Sequence, residues 1–323
     1  MRPGRWASVL AAVAVLTASA GASAQSYPSR PVRMVVAFSA GGTIDALGRI
    51  LAQKLSEQWG QSVVVDNRGG AAGNLGAMAA AQALADGYTI HLGAQSLATN
   101  VTMAPVPNFD PRRDLEPVIA VATAQDVLMV PPDSPAHSLR DWIDYAKARP
   151  GALNYASLGT GSSGHLATVL FAETTGLRLE HVPYTAVSQA LTDIVAGRIS
   201  VWLATLGGHL GNIQSGRIRA LAVSGPARAQ SLPDVPTFGE EGVAFVEEST
   251  WFGIFVPKGT PKPTIAKLNS DVEQVLAQPA MQARAAQLGF RLIGGPPERL
   301  AGLLQSEIAR WAQVAKSAGL VAR

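Results

Sequence analysis

Three glycine-rich turns hold the residues best suited to chemistry in this chain of 323 residues. Ser39-Ala40-Gly41-Gly42 follows the apolar run Val32 to Phe38 and precedes a helical pattern from Thr43 to Leu55. Gly69-Gly70-Ala71-Ala72-Gly73-Asn74 follows Val63-Val64-Val65, and Gly159-Thr160-Gly161-Ser162-Ser163-Gly164 follows Leu153-Asn154-Tyr155-Ala156. A turn that opens a helix leaves the first N–H groups without intrahelical partners, and the helix dipole favours negative charge there. Several such turns meeting at one crevice would hold carboxylate or phosphate oxygens with main-chain amides and no cationic side chain.

The elements that must position these turns alternate between two periods. Val32 to Phe38 is almost continuously apolar, as in a strand covered on both faces, and Ile44, Leu47, Leu51 and Leu55 then recur at helical steps. The cycle repeats with Val63 to Val65, Leu75 to Leu84 and Tyr88 to Leu92, before a Pro-rich loop from Met103 to Pro111. Strands are expected at Val118 to Ala122 and Val127 to Val130, a helix at Leu139 to Ala148, and further α/β units from Leu153 to about Val223. Trp251 to Val256 reads as a strand, and helices over Thr264 to Ala277 and Pro297 to Ala318 close the chain. In the last of these, Leu300, Leu303, Leu304, Ile308, Trp311 and Val314 form a core-facing stripe. This alternation points to an α/β protein with parallel sheets, and roughly 300 mature residues can bury two cores more easily than one.

Composition narrows the function. Met1 to Ala24 carries Arg2 and Arg5, an uncharged apolar stretch from Ala7 to Ala20, and the small-x-small sequence Ala22-Ser23-Ala24, the pattern of a cleaved secretory leader. Its loss reduces the 26 Lys+Arg to 24, against 23 Asp+Glu, so the mature chain has no nucleic-acid footprint. Zero cysteines exclude disulfides, thiolate metal sites and cysteine nucleophiles. The five histidines show no HExxH or paired-ligand spacing, and no GxSxG nucleophile elbow is present.

A series of motifs in order carries a family resemblance. They are Tyr27-Pro28-Ser29-Arg30-Pro31, Ala40-Gly41-Gly42 with Asp45, Asn67-Arg68 with Gly73-Asn74-Leu75-Gly76-Ala77, and Asp86-Gly87-Tyr88-Thr89. Leu153-Asn154-Tyr155-Ala156-Ser157 with Gly159, His181-Val182-Pro183-Tyr184, and Leu232-Pro233-Asp234-Val235-Pro236-Thr237 continue it. Trp251-Phe252-Gly253 before Pro257 and Gly259-Thr260-Pro261 complete it. Over its whole mature length the chain resembles the extracytoplasmic solute receptors of tripartite tricarboxylate transporters, the Bug or TctC-type binding proteins. The resemblance implies a type II periplasmic binding protein, two α/β lobes joined by a hinge with a ligand cleft between them. Residues 25–122 and 250–323 would form the first lobe and 123–249 the second, after a leader over 1–24. It also implies a periplasmic, monomeric receptor, not an enzyme, that closes on a small organic carboxylate and delivers it to a membrane permease. No cofactor, metal or nucleic acid is expected.

The resemblance places one ligand carboxylate at the first turn, partly through ordered water, on the N–H groups of Gly42, Thr43 and Ile44. The implied contacts are Phe38, Ser39, Ala40, Gly41, Gly42, Thr43 and Asp45 there, with Ala71 and Ser96 nearby. From the second lobe they are Thr160, Gly161, Ser162, Ser163, His165, Tyr184 and Thr205, gripping the far end of the ligand. Asp45 either fixes the turn by accepting backbone N–H groups, the preferred reading, or pairs with a ligand amino group. Ile44 stands where relatives carry Thr or Asn, and Thr185-Ala186 where they carry Lys-Gly, so an aromatic or short monocarboxylic acid is favoured over a tricarboxylate.

Other readings compete. Gly159-x-Gly161-x-x-Gly164 is formally a dinucleotide fingerprint, with Glu180 roughly twenty residues on, but it lies mid-chain in a secreted protein. The same turn could be an unoccupied helix cap. Phe38, Trp202 and Tyr184 offer flat walls, with Tyr184 favoured, although aromatics at strand positions are more often core. A secreted enzyme using Asp45 or His165 as acid or base, and a sensor serving a signalling partner, complete the alternatives.

Overall fold

The computed structural model describes residues 27–103, 105–244 and 250–317; the expected leader lies outside them. The first sheet has the order β11-β4-β10-β3-β1-β2. Its strands are β1 (Val32–Val36), β2 (Val63–Asn67), β3 (Thr89–Ala94), β4 (Leu115–Ala124), β10 (Thr250–Pro257) and β11 (Phe290–Leu292). The second sheet, in the order β7-β6-β8-β5-β9, uses β5 (Asp126–Val130), β6 (Asn154–Ser157), β7 (Glu180–Pro183), β8 (Val201–Thr205) and β9 (Arg219–Val223). Each sheet is the centre of one lobe, and β4 hands over to β5 across Gln125.

Three helices follow the strands of the first lobe in turn. α1 (Thr43–Trp59) follows β1, α2 (Asn74–Ala81) follows β2, and α3 (Ser96–Met103) follows β3. The short α4 (Pro111–Asp114) leads into β4. In the second lobe α5 (Leu139–Lys147), α6 (Ser163–Thr175), α7 (Val187–Val195) and α8 (Leu210–Gln214) alternate with the strands, and a 3-10 turn at Leu206–Gly208 follows β8. α9 (Lys262–Ala277), α10 (Pro279–Gln287) and α11 (Pro297–Ser317) return to the first lobe.

Ile44, Leu47, Leu51 and Leu55 of α1 are all buried, against Met34 and Val36 of β1 and Leu92 of β3. Leu300, Leu304 and Ile308 of α11 cover the opposite face with Trp251 and Phe255. The second sheet is likewise covered on both faces, by Trp142 and Phe171 on one side and by Ile194 and Trp202 on the other. Each lobe is therefore a three-layer sandwich with its own core. Near the end of α11, Trp311 and Ala315 pack with Met103 on Leu166 of α6 in the second lobe.

The sheets are mixed, which corrects the expectation of parallel ones. β1 pairs parallel with β2 and β3, but β10 runs antiparallel to both β3 and β4. β5 is likewise antiparallel to β8 and β9. β4 leaves the first lobe through the hinge and β10 returns through it, so the two must run in opposite directions. Residue patterning reports burial on two faces and carries no information on strand direction.

Candidate functional site

The first turn is shaped by Gly41 and Asp45. Gly41 has φ +87°, the left-handed region that an L side chain resists. Its N–H donates to Asp45 Oδ2 at 2.9 Å, and Arg49 Nε donates to the same oxygen at 2.9 Å. Burial pushes the Asp45 carboxyl upward, but hydrogen bonds from Arg49, Gly41 and Asn67 outweigh it and hold the group below its ordinary range. Asp45 thus braces the turn from within. Gly42 is the N-cap of α1, and no side chain caps it. The first-turn amides of this 17-residue helix are left for whatever occupies the cleft.

The second turn stacks on the first. A Cβ on Gly69 would lie 3.0 Å from Ser39 N, and one on Gly73 would lie 3.1 Å from Ser96 Oγ and 3.3 Å from Phe38 Cε2. Ala71 and Ala72 both adopt left-handed φ, 47° and 52°, at an energetic cost. Asn100 compensates by donating to Ala72 O and Asn74 Oδ1, each at 3.0 Å.

The third turn is satisfied largely by its own lobe. Gly161 N–H donates to His165 Nδ1 at 3.2 Å, and Ser162 Oγ accepts the His165 N–H at 3.4 Å. His165 stacks on His181 with 4.2 Å between ring centroids, and His181 Nε2 is 2.6 Å from Ser157 Oγ. Burial, with repulsion from His181 added, lowers His165 to about 4, so the ring is neutral.

Contacts across the lobes bring these turns together. Thr43 Oγ1 donates to Thr205 O at 2.9 Å and accepts the Gly208 N–H at 2.7 Å. Thr99 Oγ1 donates to Gly161 O at 2.6 Å. A Cβ on Gly159 would lie 3.5 Å from Ala72 N. The lobes are closed on one another.

Between them lies a cavity of about 70 Å³. Phe38, Gly42, Thr43, Ser162, Ser163 and Thr205, all expected at the site, line it. Ser39, Ala40, Gly41, Asp45, Ala71, Ser96, Thr160, Gly161, His165 and Tyr184 do not. Several of these support the wall from behind, as Asp45 and His165 do. Ala71 and Thr160 are exposed, beside the Ala72–Gly159 contact. Tyr184 gives its hydroxyl to Asp193 Oδ2 at 2.7 Å. Trp202 lines the cavity along with Ile44, Val187, Thr250, Phe252 and His209. The last four were missed because each is brought in by a segment remote from the glycine turns. No Lys, Arg, Asp or Glu is among the described residues of the lining. Behind the wall, Asp126 accepts from Thr250 Oγ1 at 3.2 Å, and burial pushes its carboxyl up to about 6. A larger groove of about 1170 Å³ runs between residues 225–231 and β11, but none of the three turns reaches it.

Backbone amides at a helix start, beside a pocket without fixed charge, suit an anion with an apolar body. Comparison with known proteins agrees with this geometry. The model of the tripartite tricarboxylate transporter family receptor matches residues 47–320. A Pseudomonas sp. (strain P51) protein from the tcbD-tcbE intergenic region is 40% identical over 94% of this chain and 91% of its own length. The structure of the periplasmic binding protein BugD superposes with a TM-score of 0.87 at 32% identity, over 92% of this chain and 100% of that one. The structure of R. palustris Rpa4515 with adipate gives a TM-score of 0.88 at 38% identity, over 91% of this chain and 99% of that one. The chain therefore belongs to the tripartite tricarboxylate transporter receptor family, the TctC or Bug-type periplasmic solute-binding proteins.

Proposed function

We propose that this protein is a periplasmic receptor that closes its two lobes on a small organic carboxylate and delivers it, unreacted, to a tripartite tricarboxylate-type permease. The observation that carries this reading is the uncapped N-terminus of α1, facing a cavity without ionised side chains and held shut by Thr43 and Thr99 across the lobes. The ligand carboxylate lies on the amides of Gly42, Thr43 and Ile44, with Ser162 and Ser163 facing it from the second lobe. The adipate in the related R. palustris structure supports a carboxylate. The division of the chain follows the sequence expectation, residues 25–122 with 250–323 against 123–249, after removal of the leader over 1–24. The two separate sheets support it, with β4 of the first sheet running to Ala124, two residues past that boundary. The protein acts as a monomer in the periplasm.

A receptor fits better than an enzyme because neither expected acid or base lines the cavity. Asp45 is engaged with Gly41 and Arg49, and His165 accepts from Gly161. Calorimetry and native mass spectrometry of the mature protein against a panel of mono-, di- and tricarboxylates test the reading. One unaltered acid bound per chain is expected. Chemical turnover of the acid, or binding to no carboxylate, refutes it.

A further inference from the structure

We infer that Leu166 is a closure latch: capture of the acid seats it against the ends of α3 and α11, and release exposes it. This rests on the receptor reading above and deepens it by naming residues that set affinity without touching the acid. Leu166 lies on α6, in the second lobe, and is fully buried. It clusters with Met103, Trp311 and Ala315, all from the first lobe, and belongs to neither core of its own lobe. A leucine whose buried apolar neighbours all come from the opposite lobe loses them when the lobes part.

The leucine moves with the cavity wall. Its N–H donates to Ser162 O at 3.1 Å, and Ser162 lines the cavity. Leu166 sits in the first turn of a 13-residue helix, so a motion that draws the Ser162 wall away from α1 carries Leu166 away from α11. Nothing covalent holds it there, because the chain passes between the lobes at Gln125 and re-enters the first at Thr250. A second contact lies in the same seam. Thr99, one turn before Met103 on α3, donates to Gly161 O at 2.6 Å.

The seat for Leu166 is preset. Trp311 is 3% exposed, and its Nε1–H donates to Glu307 Oε2 at 2.9 Å, one turn earlier on α11. Arg310 Nη1 donates to the other oxygen of that carboxylate at 3.2 Å. These bonds lie within one helix and do not depend on the second lobe. The indole is therefore oriented before closure, and little side-chain freedom is lost when Leu166 arrives. Burying a leucine in this way favours the closed state and tightens binding about 10- to 100-fold.

The chain has no cysteine, so Leu166→Cys places a single thiol at the latch. Its reaction with a maleimide is followed in the mature protein, first alone and then with propionate, benzoate, malate, adipate and citrate, each also titrated by calorimetry. Val201→Cys, in a core of the second lobe, is the buried control. Without acid the Leu166→Cys thiol should react about tenfold or more faster than the control, and every acid that binds should slow it about tenfold or more. Leu166→Ala should weaken that acid about 10- to 100-fold, while the ligand-free melting temperature stays within about 2 °C of wild type. Leu166→Met, close in volume, should keep most of the affinity. A thiol as protected as the control before acid is added, a rate that a bound acid does not change, or wild-type affinity in Leu166→Ala overturns the latch. In each case the receptor reading stands. Binding of none of the five acids overturns both.

Discussion

Replacing Gly208 by alanine puts a methyl group where the two lobes touch. The added Cβ would lie 2.7 Å from Thr43 N, 2.9 Å from Thr43 Oγ1 and 3.1 Å from Gly42 C, all in the opposite lobe. Two of these are backbone atoms that cannot rotate away. Reaching the 3.4 Å of an ordinary contact requires the lobes to part, which stretches the 2.7 Å bond from Gly208 N–H to Thr43 Oγ1. Gly208 does not occupy the left-handed region, so alanine is accepted within its own lobe. Overpacking of this kind costs about 1–3 kcal/mol, and the weakened hydrogen bond about 1 kcal/mol more. The closed state thus loses about 2–4 kcal/mol, and ligand affinity should fall roughly 30- to 1,000-fold. Gly211→Ala serves as control, because nothing lies within 4 Å of its Cβ. Calorimetry should show the loss for Gly208→Ala alone, and small-angle scattering should show that it no longer contracts with ligand. Wild-type affinity in Gly208→Ala would mean that the bound state does not use this lobe contact.

Asp45→Ala removes the acceptor of Gly41 N–H and the partner of Arg49, each a charge-assisted bond. Stability should fall by about 2 kcal/mol and affinity at least tenfold, read by urea melts and calorimetry; an unchanged affinity would separate the turn's brace from binding. Thr99→Val deletes the hydroxyl that reaches Gly161 O at 2.6 Å, and about 1 kcal/mol of closure, or roughly fivefold in affinity, should go with it. Acid should destabilise the fold. Burial holds His91, His165 and His209 near 4, below the ordinary value of 6.5, so each takes up a proton on unfolding between those limits. The stability these rings contribute is present above pH 6.5 and lost as pH falls toward 4. Asp126 opposes them, since its carboxyl, raised from 3.8 to about 6, releases a proton on unfolding within that window. The histidines outnumber it, for a net uptake of about two protons near pH 5 and roughly 3 kcal/mol per pH unit. Urea midpoints that stay flat or rise from pH 6.5 to 4.5 would refute this balance.

Local spacing made much of the site legible. A strand, a glycine turn and a helix start are consecutive in the chain, so the first and third turns stood out before any folding was considered. The stripe Ile44, Leu47, Leu51 and Leu55 likewise identified the buried face of α1. Asp45 reaches Gly41 four residues back, a contact within a single helical turn. Tyr184 shows the limit of such reading. Its motif placed it near ligand, yet the fold presents Asp193 to its hydroxyl, and the cavity wall is built by Trp202 instead.

Residue order and patterning determined the α/β class and the strand–glycine turn–helix junctions, because each depends on neighbours within a few positions. Tertiary structure alone decided which turns meet, that β10 opposes the strands beside it, and that Trp202 and His209 line the cavity. Those outcomes depend on contacts such as Thr43 with Thr205 and Gly208, more than 160 positions apart. Pairings of that separation arise when two finished lobes dock, and no local periodicity in the chain encodes how they will.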